Sequence, residues 1–280
     1  MGAIRLIEWL NNDGDRLQGA LVLPVDYQEG KRYPLIVYVY GGGVLSDDLD
    51  RFGVVAAAGP FNMQLFATRG FAVLLPDSPQ HLGTPMLDVA KNVLPAVNKV
   101  IEMGVADGDR LGVMGHSNGG YSTLALIVQT KRFKAALEAG GTGDLLENYG
   151  EMNRDGTAFG TSNLEHGQDA LGGTPWDFRE RYIENSPVFY FERVETPLLI
   201  VHGTDDTTVA PFLADEVFVG LSRLGKEVEY AEYQGEGHSP LSWSYANQID
   251  LCNRMIKWFE KHLKADSPQS PSSPPASNLP

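Results

Sequence analysis

Ser117 stands at the centre of Gly115-His116-Ser117-Asn118-Gly119, between the apolar run RLGVMG (110–115) and a helical pattern that begins at once. A serine hydroxyl is a weak nucleophile on its own. Held on a sharp strand-to-helix turn, it is exposed and can attack a carbonyl carbon. Such a turn presses the residues two before and two after the serine against the adjoining strand and helix, so both must be small. Gly115 and Gly119 meet that demand. A glycine-rich turn after a strand also suits phosphate, but GVMGHSNGG does not supply G-x-G-x-x-G and its strand comes late in the chain. The chemistry to which the stretch points is acyl transfer.

An attacking serine needs a base, and the base needs a carboxylate to orient it. For a serine on this kind of turn, the acid follows it in the chain and the histidine follows the acid. Six histidines are available. His81 precedes the turn, His166 lies in a weakly patterned segment, and His262 falls in the last helix. His116 and His202 belong to turn motifs. His238, in YQGEGHSP just after the last strand run, stands where the base is required. LLIVHGTDDTTV offers Asp205 and Asp206 at the end of the preceding strand. Spacing alone does not choose between them, because either could cap the helix that begins near Pro211.

The elements that would position these groups alternate along the chain. IRLIEWL and RLQGALVLP flank the turn-rich NNDGD and predict an antiparallel strand pair. Short apolar runs follow at 35–40, 71–76, 110–115, 134–139, 197–203 and 227–233, most of them apolar throughout, as in strands buried on both faces. Helical periodicity fills 86–103, 118–130, 212–224 and 246–264. Pro95 predicts a kink or a restart in the first of these. The pattern is that of an α/β protein: a doubly wound, mostly parallel sheet with antiparallel N-terminal strands. Residues 141–186 are rich in Gly, Asn, Thr and Glu with weak periodicity, an insertion of the kind that often serves function. One domain is expected over 1–264, followed by a disordered Ser/Pro-rich tail at 265–280.

Composition excludes several classes. Net charge is −14, which argues against a nucleic-acid partner, since phosphate binding needs concentrated Lys and Arg. A single cysteine, Cys252, allows no internal disulfide, and no Cys/His spacing matches a zinc site, so no metal or cofactor is expected. No apolar run approaches the roughly 20 residues that span a bilayer, so no membrane partner is expected. No signal peptide is visible. A cytoplasmic setting is favoured, or a secreted or periplasmic one where a longer native N-terminus has been removed.

Taken together, DRLGVMGHSNGGYST, SPVFYFERVETPLLIVHGTDDTTV and GEGHS resemble the catalytic α/β-hydrolase domain of the prolyl oligopeptidase family of serine peptidases. FATRGFAVLLPD and GGTPWD fit the same pattern, and the likeness runs in order over roughly 3–264. The resemblance implies that the acid is Asp206, with Val209 closing H-G-x-x-D-x-x-V. It implies that the oxyanion is bound by the Tyr40 hydroxyl and the N–H of Asn118. Tyr40-Gly41-Gly42-Gly43 is also similar to the H-G-G-G loop of esterases, in which the N–H groups of Gly41 and Gly42 would donate instead. Full-length members carry a β-propeller ahead of this domain, and that propeller is absent from this chain. Leu145, Leu146, Tyr149 and Val209 are expected to form an apolar pocket beside the scissile bond. The expected substrate is a small peptide or ester, cleaved through an acyl-enzyme. A stand-alone carboxylesterase using the same Ser117, Asp206 and His238 is the alternative. A non-catalytic module would have lost a triad member, and none is lost.

Overall fold

The computed structural model describes residues 1–49, 59–152 and 156–264. Among them, eight strands form one sheet: β1 (Ile4–Leu10), β2 (Arg16–Val22), β3 (Tyr33–Tyr38), β4 (Ala72–Pro76), β5 (Ala106–His116), β6 (Ala135–Ala139), β7 (Leu198–Gly203) and β8 (Val228–Tyr233). Their order is β1-β2-β4-β3-β5-β6-β7-β8. The β1–β2 and β2–β4 pairs are antiparallel, and every pair from β4 to β8 is parallel. This is the expected doubly wound sheet with its antiparallel N-terminal edge.

Successive side chains on a strand leave opposite faces of a sheet, and both faces are covered here. On β3, Leu35 and Val37 enter one apolar layer, with Val89, Val93, Leu124 and Val217 from α2 (Pro85–Glu102), α3 (Asn118–Gln129) and α7 (Pro211–Arg223). Ile36 and Tyr38 enter the other, with Phe66 from α1 (Met63–Ala67) and Leu251, Met255 and Phe259 from α8 (Tyr245–Leu263). Burial on both faces is why β3 and β4 read as continuous apolar runs and why β6 and β7 are interrupted only by Glu138 and His202. The edge strands β1 and β8 bury Ile7, Trp9, Ala231 and Tyr233 and leave most of the residues between them at least partly in water.

Two expectations change. The helix through Pro95 runs unbroken from Pro85 to Glu102, with no restart. Pro95 has no N–H for the Lys91 carbonyl, and the Asn12 N–H takes its place at 3.3 Å. The 141–186 segment is not irregular throughout. It carries α4 (Leu145–Gly150), α5 (Phe159–His166) and α6 (Arg179–Glu184), each too short to show a periodic pattern. The tail expected at 265–280 lies outside the described residues.

Chain direction reverses its march across the sheet at β3, which pairs with both β4 and β5. Ligands of open α/β sheets bind at the carboxyl ends of strands near such a point. Tyr40 follows β3 there and Ser117 follows β5.

Candidate active site

β5 passes into α3 with only Ser117 between them, at φ 60° and ψ −122°. Positive φ is rare for a residue with a side chain and stores roughly 1–3 kcal/mol of strain. The flanks show why only glycine fits. A Cβ on Gly115 would lie 2.2 Å from the Gly119 oxygen, and one on Gly119 would lie 2.4 Å from the Val39 oxygen. The Ser117 N–H donates to the Ala139 oxygen at 2.8 Å, which ties the turn to the end of β6.

Three loops from three strand ends meet at the hydroxyl. His238 Nε2 lies 2.9 Å from Ser117 Oγ, and His238 Nδ1 lies 2.7 Å from Asp206 Oδ2. The other carboxylate oxygen, Oδ1, accepts from the N–H groups of Thr208 at 2.8 Å and Val209 at 3.0 Å. Burial works to raise the pKa of Asp206, but hydrogen bonds from His202, His238 and Val209 and the nearby His238 charge outweigh it. The net effect holds the carboxyl well below the ordinary range. Asp205 is exposed, and its Oδ1 accepts from the Thr204 hydroxyl at 3.3 Å. The structure therefore places Asp206, not Asp205, on the histidine.

Two histidines set aside in the sequence as turn residues touch this pair. His116 Nε2 lies 2.7 Å from the His238 carbonyl oxygen, and the two rings sit 4.9 Å apart. A carbonyl only accepts, so His116 donates through Nε2. Burial, and then the neighbouring His238, push its pKa down to about 4, so it stays neutral near pH 7. His202 is buried, with Nε2 2.9 Å from the Val209 oxygen and 3.2 Å from Asp206 Oδ2. The Asp206 carboxylate is thus held by two imidazoles.

The oxyanion corner separates the two donors left open by the sequence. The Gly41 N–H already donates to Ser122 Oγ at 3.0 Å, and the Gly42 N–H to the Ser78 oxygen at 2.7 Å. The Gly43 N–H closes onto the Tyr40 oxygen at 3.1 Å. All three glycine donors are engaged within the fold. Among the described residues, the Tyr40 hydroxyl donates only to Gln168 Oε1, at a long 3.4 Å. Asn118 is the first residue of α3, where an N–H has no intrahelical acceptor and the helix dipole favours negative charge.

This geometry agrees with the comparisons to known proteins. The model of the prolyl oligopeptidase family, Peptidase_S9, matches residues 87–266. The chain belongs to that family. The resemblance read from its motifs is borne out. Over 270 residues it is 28% identical to the uncharacterized peptidase YuxL of Bacillus subtilis, covering 92% of this chain and 39% of the relative. Dipeptidyl-peptidase 5 of Porphyromonas gingivalis is 26% identical over 273 residues, covering 91% of this chain and 37% of that one. Among solved structures, the acylaminoacyl peptidase of Pyrococcus horikoshii superposes with a TM-score of 0.79 at 23% identity, covering 94% of this chain and 42% of that chain. That likeness establishes the α/β-hydrolase fold. The chain spans about two-fifths of the length of these relatives.

Of the four residues expected to form an apolar pocket in this prolyl oligopeptidase-family chain, Leu145 needs correction. Leu145 has no accessible surface and belongs to the core, its N–H bound to Ser186 Oγ at 2.9 Å. Val209 is nearly buried and serves Asp206 through its backbone. Leu146 and Tyr149 are half-buried at the margin of the core, with the Tyr149 hydroxyl on Glu165 Oε1 at 2.8 Å. A cavity of about 630 Å³ beside the acid is walled by Glu147, Glu151, Met152, Asp205, Ala210 and Phe212 among others. None of the four expected residues lines it.

Glu138, read in the sequence as part of an ordinary strand run, has no accessible surface. Its Oε2 accepts the Gly141 N–H at 3.0 Å. Burial pushes its pKa up to about 7, against partial opposition from His202 and the Gly141 N–H. The unfolded chain releases this proton near the ordinary value of 4.5, while the folded chain retains it to about 7. The stabilising contribution is therefore complete below the unfolded pKa and is lost as pH rises through the folded one. The loss amounts to roughly 3 kcal/mol. Glu138→Gln keeps an acceptor for Gly141 without the ionisation. The melting temperature of the variant is expected to gain on wild type steadily from pH 4.5 to pH 7.5. Parallel thermal melts across that range check this, and a constant difference would refute it.

Proposed function

We propose that this chain is a serine hydrolase that cleaves peptide bonds through an acyl-enzyme. The observation that carries the reading is the continuous contact from Ser117 Oγ through the His238 ring to the buried Asp206. Ser117 Oγ attacks the scissile carbonyl carbon while His238 Nε2 takes its proton. Asp206 holds the Nδ1–H tautomer and stabilises the imidazolium that forms. The developing oxyanion is held by the Tyr40 hydroxyl and the Asn118 N–H, donors that matter more in the transition state than in the ground state. The C–N bond then breaks as His238 returns the proton to the leaving amine. A water, activated by the same imidazole, hydrolyses the ester and regenerates Ser117.

Family membership favours short peptides or N-acylated aminoacyl substrates over simple esters. Parallel assays on acyl-aminoacyl anilides, aminoacyl anilides and p-nitrophenyl esters test this. Turnover of at least one anilide together with the esters is expected. Ester turnover with no amide turnover would transfer the assignment to a carboxylesterase.

The oxyanion donor has its own test. Tyr40→Phe keeps the ring and removes one hydrogen bond made chiefly in the transition state. The expected cost is roughly 10²–10³ in kcat, with KM little changed. Near-normal kcat, on an ester whose acylation is rate-limiting, would return the role to a rearranged glycine loop.

A further inference from the structure

The 141–186 segment brings the Gln168 side chain to the oxyanion corner. Gln168, just past α5, lays its carboxamide across the end of β3. Its Nε2 donates to the Gly41 oxygen at 3.2 Å, and its Oε1 accepts from the Tyr40 hydroxyl at 3.4 Å. Each contact fixes the polarity of the other. The Gly41 carbonyl can only accept, so the amide nitrogen faces it and the amide oxygen faces Tyr40. Tyr40 must then be the donor.

Gln168 is itself held in place. Its N–H donates to Asn163 Oδ1 at 3.1 Å, and Asn163 Nδ2 donates to the buried Asp169 Oδ2 at 2.8 Å.

We propose that Gln168 is a positioning residue for the oxyanion donor, aiming the Tyr40 hydroxyl at rest and giving it up when the tetrahedral intermediate forms. The proposal rests on the reading of Tyr40 as that donor. O–H···O bonds are strongest near 2.7–2.8 Å, so a contact at 3.4 Å costs little to exchange. The oxyanion offers a charge-assisted bond about twice as strong as a neutral one. Rotation about the phenolic C–O bond moves the proton without moving the ring. Meanwhile the bond from Nε2 to Gly41 keeps the carboxamide at its post, so the hydroxyl returns to the same place after each turnover.

A double-mutant cycle on an ester whose acylation is rate-limiting tests this, using wild type, Gln168→Ala, Tyr40→Phe and the double variant. Gln168→Ala is expected to lower kcat by roughly three- to tenfold, because a Tyr40 side chain no longer held at rest must be ordered as the intermediate forms. KM and the melting temperature should stay close to wild type. In the double variant kcat should match that of Tyr40→Phe alone, because Gln168 has nothing left to position. A Gln168→Ala loss that persists undiminished in the Tyr40→Phe background would overturn the proposal and leave Gln168 a support for Gly41. An unchanged kcat in Gln168→Ala would overturn it as well. If Tyr40→Phe alone is near normal while Gln168→Ala is slow, the donor reading fails first and takes the positioning role with it.

Discussion

Ser117→Ala is expected to reduce kcat by about 10⁴–10⁶ while the chain folds as before. The substitution removes a single oxygen whose hydrogen-bond partner is His238 Nε2. Alanine at this position bears the same backbone strain as serine, since both carry a Cβ at φ 60°. Circular dichroism and the melting temperature should therefore match wild type. Residual turnover above the uncatalysed rate is also expected, because oxyanion donors and substrate positioning survive the loss of the nucleophile. A variant with more than about one-hundredth of wild-type kcat would place the nucleophile elsewhere.

Asp206→Asn carries the second largest effect, roughly 10⁴ in kcat. An asparagine amide can present its N–H to His238 Nδ1, which drives the imidazole proton to Nε2. The nitrogen facing Ser117 would then be a donor and could not accept the serine proton. Asp206 also receives hydrogen bonds from the N–H groups of Thr208 and Val209 and lies 3.2 Å from His202 Nε2. Some loss of stability should therefore accompany the loss of rate. Asp205→Asn is the control. That side chain is exposed and lies off the histidine, so kcat should stay within a few-fold. Steady-state kinetics on both variants would expose a register error of one residue if the two effects came out reversed.

The strand-to-helix turn at Ser117 was legible because local chemistry decides it: two glycines, an apolar run and a helical pattern within a few residues. The same holds for the strands buried on both faces, where each residue reports its own environment. Element ends were less legible. β5 starts at Ala106 rather than near 110, because the polar ADGD lies largely outside the core, at a register shift opposite Tyr33. Asp206 could not be told from Asp205 by spacing alone, since the choice depends on which carboxylate the turn buries. His116, His202, Glu138 and Gln168 were missed for another reason. The partners of His116 and Gln168 come from distant strands and loops, 122 residues away for His116 and 128 for Gln168 and Tyr40, while those of His202 and Glu138 are close in sequence but are met only through the way the strand ends turn. Leu145 was misread because it looks like a loop-end apolar residue, whereas Asp144 caps α4 and the turn carries Leu145 into the core.

The central claim is that Ser117 forms the covalent intermediate. Intact-mass and peptide-mapping spectrometry after treatment with a fluorophosphonate measures this directly, because the reagent reacts with a serine activated by its own general base. One adduct per chain is predicted, on the peptide that contains Gly115-His116-Ser117-Asn118-Gly119, and none on the Ser117→Ala chain. A full-stoichiometry adduct on any other serine, or no adduct on an enzyme that turns over substrate, would contradict the account.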